Sequence, residues 1–372
     1  MKASRLITAA AITAAGALSL AACGNDNNKT AATPSTSASA AASSSAIACA
    51  TGKLMGAGST FQANIVAQWI KDFDSACSGA TVDYQGVGSG AGISQFGAGT
   101  IDFGGSDSTM KPEEQTAADK RCGGAPAIHL PITAGGLAIA YKLNGITNLQ
   151  LSPKTVAGIF QGTIKTWNDP AIAADNTGVT LPKTAIQAVH RSDSSGSTKI
   201  FSGWLDKAAG GDWKLGVDKE LKWADSIQGK KGSDGVSGLV ADTEGGITYV
   251  ELSFATATNL GVAKIKNGAG EYVSPDTASV SKALASATLP DTGNDLKAKF
   301  DYATTTSGVY PVTGLSYEIV CSKGNNAANL PLLKAFLGYA AGAGQAKADQ
   351  LGFAPLPATV AARVNAAIAA LS

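Results

Sequence analysis

Three times in this chain a β-like run ends in glycine and small hydroxyl residues just as a helix begins. The stretches are "GAGSTF" (56–61), "GVGSGAG" (86–92) and "HRSDSSGST" (190–198), and "FGGSDS" (103–108) adds a fourth polar turn. "KLMGAGSTFQANIVAQWIKDF" reads as strand, turn and helix. Phe61, Ile65, Trp69 and Phe73 recur every fourth residue and share one helical face. Ser59 with Gln62 fits a capping box at that helix start. "TVDYQG" alternates as a strand does, with Val82 and Tyr84 on one side, and leads into a short helix over "ISQF". "TIDFGGSD" and "AIQAVHRSD" are further strands ending in polar turns. Strands that alternate with helices predict α/β units with largely parallel sheets.

A helix start presents unpaired backbone N–H groups at the positive end of its dipole. With no bulky side chain in the way, it cradles an anion. Residues 190–199 hold one arginine, one aspartate, five hydroxyl side chains and one glycine, followed by the apolar, helix-spaced Ile200, Phe201, Trp204 and Leu205. Several such ends converging on one cleft make an oxyanion site without much net charge. The composition fits: 29 basic residues against 28 acidic leave a net charge of +1. That balance gives no electrostatic footprint for nucleic acid. "GVGSGAG" departs from the dinucleotide fingerprint, and the chain contains no GxxxxGK[ST] loop.

The first 22 residues read as a leader. "MKASRLITAAAITAAGALSLAACG" carries Lys2 and Arg5, then an apolar run, then small residues. It ends in "LAAC", which resembles the bacterial lipobox, so Cys23 is expected to become the first mature residue and to carry lipid. Residues 23–48 are small, polar and low in complexity, the composition of a flexible tether. The remaining cysteines are Cys49, Cys77, Cys122 and Cys321. An exported chain with an even number favours two disulfides, in any of three connectivities. The pairing preferred is Cys49–Cys77 with Cys122–Cys321, the first joining the foot of strand one to the end of the helix that returns antiparallel to it. No two have metal-ligand spacing, so no metal or other cofactor is expected.

"GAGSTF", "YQGVGSGAGISQF", "IDFGGSD", "GIFQGTIKTWNDPAIA", "HRSDSSGST", "GGITYVELSFA" and "YPVTGLSYEIV" together resemble the phosphate-binding proteins of bacterial phosphate-specific ABC transporters. The resemblance runs from about residue 53 to the C-terminus. The tether, the cysteines and "KPEEQTAADKRCGG" look most like actinobacterial members. It implies a periplasmic-binding-protein-like fold of type II: two α/β domains, hinged, with the ligand cleft between them. The chain would cross near Thr133 and return near Val312, so domain I is 49–132 plus 313–372 and domain II is 133–312. The helical run "LLKAFLGYAAGAGQAKADQLGF" would pack on domain I.

The resemblance also implies roles, position by position. Ser59, Thr60 and Phe61 would meet phosphate through hydroxyls and backbone N–H groups, and Ser89 would donate from its helix start. Asp107 would accept the proton of hydrogen phosphate. Arg191 would pair with phosphate oxygens, oriented by Asp193, while Ser195, Gly196 and Ser197 donate from the next helix. Where the family often has threonine, Ser197 keeps the hydroxyl. Arginine suits the task because its planar fork matches two oxygens at once. An ionised Asp107 would face sulfate acceptor against acceptor, and would therefore select against it. Arsenate, protonated like phosphate, would be discriminated poorly. The partners implied are inorganic phosphate, the permease subunits with their ATPase, and a membrane reached through the lipid anchor. The protein is expected to be a monomer on the extracytoplasmic face that binds no nucleic acid.

An enzyme is not expected. The two histidines, His129 and His190, belong to no GxSxG or HExxH pattern. His129 in "AIHLPI" reads as a core histidine, and His190 as packing at the end of its strand. Trp69, Trp167, Trp204, Trp213 and Trp223 read as core or hinge packing. Two other readings stay open at this level: a receptor for sulfate, molybdate or another oxyanion, and a surface adhesin or signalling protein on the same fold.

Overall fold

The computed structural model describes residues 47–372. The expected leader (1–22), Cys23 and the tether as far as residue 46 lie outside the described residues. The strands are β1 (Gly52–Gly58), β2 (Ala80–Gly86), β3 (Phe103–Ser106), β4 (Ala127–Tyr141), β5 (Gln150–Leu151), β6 (Gln187–Arg191), β7 (Gln228–Lys230), β8 (Gly246–Glu251), β9 (Gly261–Val262), β10 (Lys264–Lys266), β11 (Tyr272–Val273), β12 (Thr313–Cys321) and β13 (Phe353–Ala354). The helices are α1 (Ala63–Ala76), α2 (Ser89–Gly97), α3 (Pro112–Arg121), α4 (Pro153–Phe160), α5 (Pro170–Asp175), α6 (Gly196–Ala208), α7 (Gly232–Ala241), α8 (Leu252–Ala257), α9 (Thr277–Ser286), α10 (Leu330–Ala341) and α11 (Ala358–Ala369).

The main sheet runs β2-β1-β3-β12-β4-β8-β6-β7. Its two flanks are parallel, as strand–helix–strand units require: β1 pairs with β2 and β3, and β6 with β7 and β8. The middle is not. β12 runs antiparallel to both β3 and β4, and β4 antiparallel to β8. The largely parallel expectation is therefore corrected at the centre. The reason is connectivity: β4 and β12 carry the chain between the flanks in opposite directions, rather than closing a βαβ unit.

β4 spans both flanks, and all fifteen of its residues are buried. It pairs with β12 as far as Gly136 and with β8 from Leu137 onward. Pro131 sits inside this central strand, where a missing N–H would break the ladder. The register shifts at that point: Tyr317 pairs with Pro131 but Ser316 with Thr133, so Ile132 is skipped in a bulge. Helix α9 packs on β4, β12 and β13, and Leu296 N donates to the His129 carbonyl at 3.0 Å. The stretch from α9 onward thus lies against the flank that holds β12.

α1 buries Ile65, Val66, Trp69 and Phe73, each 0–1% exposed. Each such side chain contributes roughly 1.5–3 kcal/mol. Phe73 meets Phe336 of α10 edge to face at 5.7 Å. The long C-terminal helix reading is shortened: α10 ends at Ala341, and two short 3₁₀ turns follow before β13. Gly342 and Gly344 break the run. Gly344 also meets Trp69, whose indole N–H donates to its carbonyl at 2.9 Å.

Cys49 is bonded to Cys77 and Cys122 to Cys321, with Cα–Cα distances of 5.2 and 5.4 Å. The second bond ties the end of α3 to the end of β12 across a sequence separation of 199 residues. Loops that long restrict the unfolded chain most, so C122S/C321S is expected to lose about 2–4 kcal/mol of unfolding free energy. A urea midpoint unchanged from wild type would refute this.

Candidate functional site

The sequence-predicted residues come from four separate turns. Ser59, Thr60 and Phe61 follow β1, Ser89 opens α2, Asp107 follows β3, Arg191 ends β6, and Ser195 to Ser197 open α6. Folding brings Ser59, Ser89, Asp107 and Gly196 into direct contact. Asp107 is 6% exposed. Its Oδ1 accepts from the Ser59 hydroxyl and, at 2.7 Å, from Ser316; its Oδ2 accepts from Ser89 at 3.2 Å. Burial pushes this carboxyl up from its usual value, against the pull of the serine hydroxyls and the Arg191 charge.

Ser89 Oγ is a junction. It accepts from Asp107 N at 3.2 Å and from Gly196 N at 3.1 Å. Gly90 N donates to the Ser194 carbonyl at 2.9 Å, so the starts of α2 and α6 meet face to face. Only glycine fits at 196. A Cβ there would stand 2.6 Å from Asp107 Oδ2 and from Ser89 Oγ. Ser195 caps α6 by accepting from Thr198 N at 3.3 Å, while its own N–H donates to the Lys219 carbonyl at 3.0 Å. Ser197 Oγ is buried and has no hydrogen-bond partner among the described residues.

Arg191 is 4% exposed and forks onto Asp193: Nε to Oδ1 at 2.7 Å and Nη2 to Oδ2 at 2.5 Å. Burial alone would raise the Asp193 carboxyl. The Arg191 bonds and charge, with the Gly232 N–H, outweigh it and hold Asp193 below its usual value. The third nitrogen, Nη1, points at Ser233 Oγ, 3.4 Å away. Ser233 in turn shares a 2.8 Å hydroxyl contact with Thr60. Phe61 is fully buried, and its N–H donates to Ser59 Oγ at 3.0 Å. A cavity of about 220 Å³, walled in part by Ser108, Lys199, Ile200 and Tyr317, opens onto Asp107. A larger one of about 430 Å³, between Lys154, Asp175, Lys207 and Lys266, lies apart from this network.

Sequence reasoning missed several members. Ser316 lies opposite Asp107 because β12 pairs Tyr317 with Ser106; its motif was visible, its register was not. Ser233 lies in the first turn of α7, which opens at Gly232 after Lys231, one more small polar helix start of the same kind. The capping box is not formed. α1 begins only at Ala63, Ser59 serves Asp107, and Gln62 turns inward to Tyr84 at 3.0 Å and Glu318 at 2.6 Å. Three more ties bridge the same cleft. Lys219, 4% exposed, ion-pairs with Glu114 of α3, and Lys111 pairs with Asp218 at 2.8 Å. Asn64 donates to Ser253 at 2.7 Å, and Ser253 holds the buried Glu251, which burial pushes up to about 8.

Neither histidine is paired with a nucleophile. His129 accepts from Met110 N at Nε2 (3.1 Å) and meets Asp295 at Nδ1 (2.7 Å), which makes it a neutral, satisfied core residue. His190 stacks on Trp223 at 4.8 Å. Trp69, Trp167 and Trp204 are 0–1% exposed. Among the described residues no cluster of His, Cys, Asp and Glu could hold a metal ion, and no helix is long and apolar enough to cross a membrane.

Two α/β flanks joined by crossing strands, with helix starts converging between them, define a periplasmic-binding-protein-like fold with an oxyanion-type cleft. A family model of the PBP superfamily domain matches residues 34–343. Phosphate-binding protein PstS 3 of Mycobacterium leprae is 42% identical over 378 residues, covering 100% of both chains. Phosphate-binding protein PstS 3 of Mycobacterium tuberculosis (strain H37Rv) is 40% identical over 376 residues, again covering 100% of both. A high-affinity periplasmic phosphate-binding protein solved with phosphate superposes with a TM-score of 0.69 at 23% identity, over 85% of this chain and 93% of that one; this likeness is one of fold. The chain belongs to the PstS family of phosphate-binding proteins, within the PBP superfamily.

Proposed function

We propose that this protein is the extracytoplasmic substrate-binding component of a phosphate ABC importer. It captures inorganic phosphate in the cleft between its two domains and delivers it to the permease. The observation that carries this reading is the pairing of Arg191, forked on Asp193, with the hydroxyl-ringed Asp107 at the meeting of two helix starts. Arg191 and the helix N–H groups bind oxygens that bear charge, and Asp107 accepts from the one oxygen that bears a proton. Ser59, Thr60, Phe61, Ser89, Ser195, Gly196 and Ser197 supply the remaining donors, and the Ser197 hydroxyl, unpartnered among the described residues, is available to give one. A handful of charge-assisted bonds at roughly 1.5–3 kcal/mol each, less the cost of ordering, supports micromolar binding or better. The protein acts as a monomer, tethered to the membrane by lipid on Cys23, and has no catalytic role.

Calorimetry with phosphate, sulfate and arsenate near neutral pH tests this. Phosphate and arsenate are expected to bind at micromolar Kd or tighter, and sulfate not to bind. Tight sulfate binding, or no oxyanion binding, would overturn the proposal.

The ion pairs on the cleft rim carry a kinetic prediction. Lys219 and Glu114 are both shielded and tied to the ligand segments, since the Lys219 carbonyl holds Ser195. Lys219→Met leaves a shielded carboxylate unpaired and is expected to speed phosphate release about 5- to 30-fold. Lys111→Met breaks an exposed pair and is expected to change it less than about threefold. Equal release rates for Lys219→Met and wild type in stopped-flow fluorescence would refute this.

A further inference from the structure

Directly behind the turn that carries Ser59 lies a buried carboxyl that takes no part in holding the anion. Glu318 is 2% exposed, on β12, flanked by Gly105 of β3 and Leu130 of β4. Its Oε1 accepts from Gln62 Nε2 at 2.6 Å, while its Oε2 is buried with no hydrogen-bond partner among the described residues. The same Gln62 nitrogen reaches Tyr84 Oη at 3.0 Å, and Tyr84 donates to the Ser59 carbonyl at 2.8 Å. Thr133 Oγ1 donates to Gln62 Oε1 at 3.4 Å. The arrangement is built around Gly105: a Cβ there would stand 2.1 Å from Tyr84 Oη and 2.6 Å from Gln62 Nε2.

The titratable groups that face Glu318 are Tyr84 from β2 and Asp107 from the turn after β3; Gln62 and Thr133 complete its surroundings as neutral groups. A carboxylate here would have an acid beside it, no cation, and one oxygen without a donor. Such an oxygen is costly to leave charged in a low-dielectric interior. A neutral acid, with its proton on Oε2, leaves Oε1 to accept from Gln62.

We infer that Glu318 is a positioning residue of the phosphate cleft: in its protonated form it holds Gln62 and, through Tyr84, the Ser59 carbonyl, fixing the Gly58–Phe61 turn against Asp107. Burial, with the charge of Asp107, pushes the Glu318 carboxyl up to about 8 against the Gln62 hydrogen bond. The inference rests on the phosphate reading of the cleft. Phosphate adds negative charge on the Asp107 side, so the bound state holds the Glu318 proton more tightly than the free state does. Binding therefore takes up part of a proton near pH 8 and weakens as pH rises through that value. Well below it Glu318 is neutral in both states and the effect vanishes.

The experiment is calorimetry on the full chain, pH 6 to 9.5, in buffers of differing ionisation enthalpy. Wild-type Kd for phosphate is expected to rise about three- to tenfold between pH 7 and 9, with proton uptake near pH 8. Glu318→Gln keeps binding at pH 7 and loses both the alkaline slope and the uptake. Tyr84→Phe binds more weakly at every pH but keeps the slope, and Glu251→Gln, which alters another buried acid pushed up to about 8, keeps the part of it that Glu318 carries. A wild-type slope in Glu318→Gln, or a slope abolished by Glu251→Gln instead, overturns the inference. Thermal unfolding reads the same proton without ligand. An acid whose folded value is raised loses stability from its ordinary value up to its folded one, so the wild-type midpoint should fall relative to Glu318→Gln between about pH 5 and 8 and then level off. A pH-independent difference overturns the inference whatever binds. Wild type that binds no phosphate but shows this fall instead overturns the functional reading alone.

Discussion

Arg191→Met is expected to weaken phosphate binding by about 1,000-fold, the largest loss from any single residue of the cleft. The guanidinium is buried, and among the described residues its only carboxylate partner is Asp193 beside it. Its removal deletes charge-assisted bonds to the ligand at roughly 1.5–3 kcal/mol each. It also leaves the Asp193 carboxylate unpaired and buried, a cost of about 3–5 kcal/mol in comparable pairs. Arg191→Met is therefore expected to lose stability as well as binding. Arg191→Met/Asp193→Asn separates the two, because deleting both charges recovers stability but not affinity. Arg191→Lys keeps the charge without the fork and should fall between. A Kd within tenfold of wild type, measured by calorimetry on folded Arg191→Met, would falsify the role given to this arginine.

Asp107→Asn is expected to change which anion binds more than how tightly phosphate binds. The side-chain amide keeps one oxygen to accept from Ser59 and Ser316 and turns an N–H toward the other side. A carboxylate demands a donor from the ligand, whereas an amide N–H offers one. A site built to receive a proton rejects its proton-free analogue by roughly 10⁴-fold, so the phosphate-to-sulfate preference should collapse to within about tenfold. Phosphate itself should weaken by about 10- to 100-fold, the loss of one charge-assisted bond. The two Kd values measured side by side decide the matter, and an unchanged ratio would mean that selectivity resides elsewhere.

The local signals in the chain were strong because they depend on neighbours. Spacing by four along α1 is visible in Ile65, Trp69 and Phe73, and each strand that ends in glycine and serine announces a helix start. The "LAAC" near the start of the chain, four further cysteines and a near-neutral charge are likewise matters of composition and order. The arginine–aspartate fork is also local, because Arg191 and Asp193 are two residues apart on one turn.

What local order leaves undecided is the register of distant strands. Nothing in "YPVTGLSYEIV" shows that Ser316 faces Asp107, since that follows from β12 pairing antiparallel with β3. Nor does "GSTFQ" show that Gln62 abandons the helix cap for Glu318, more than 250 residues away. A cap competes with any buried group that needs a donor, and the buried acid wins because its alternative is desolvation without compensation. The antiparallel centre of the sheet has the same origin, for two crossing strands must run in opposite directions to join two flanks. The sequence by itself determined the α/β units, the helix starts and the residue types able to hold an oxyanion. Only the tertiary structure decided which of them meet, because contacts between residues far apart in the chain are chosen by packing and burial, and neither is visible from neighbours alone.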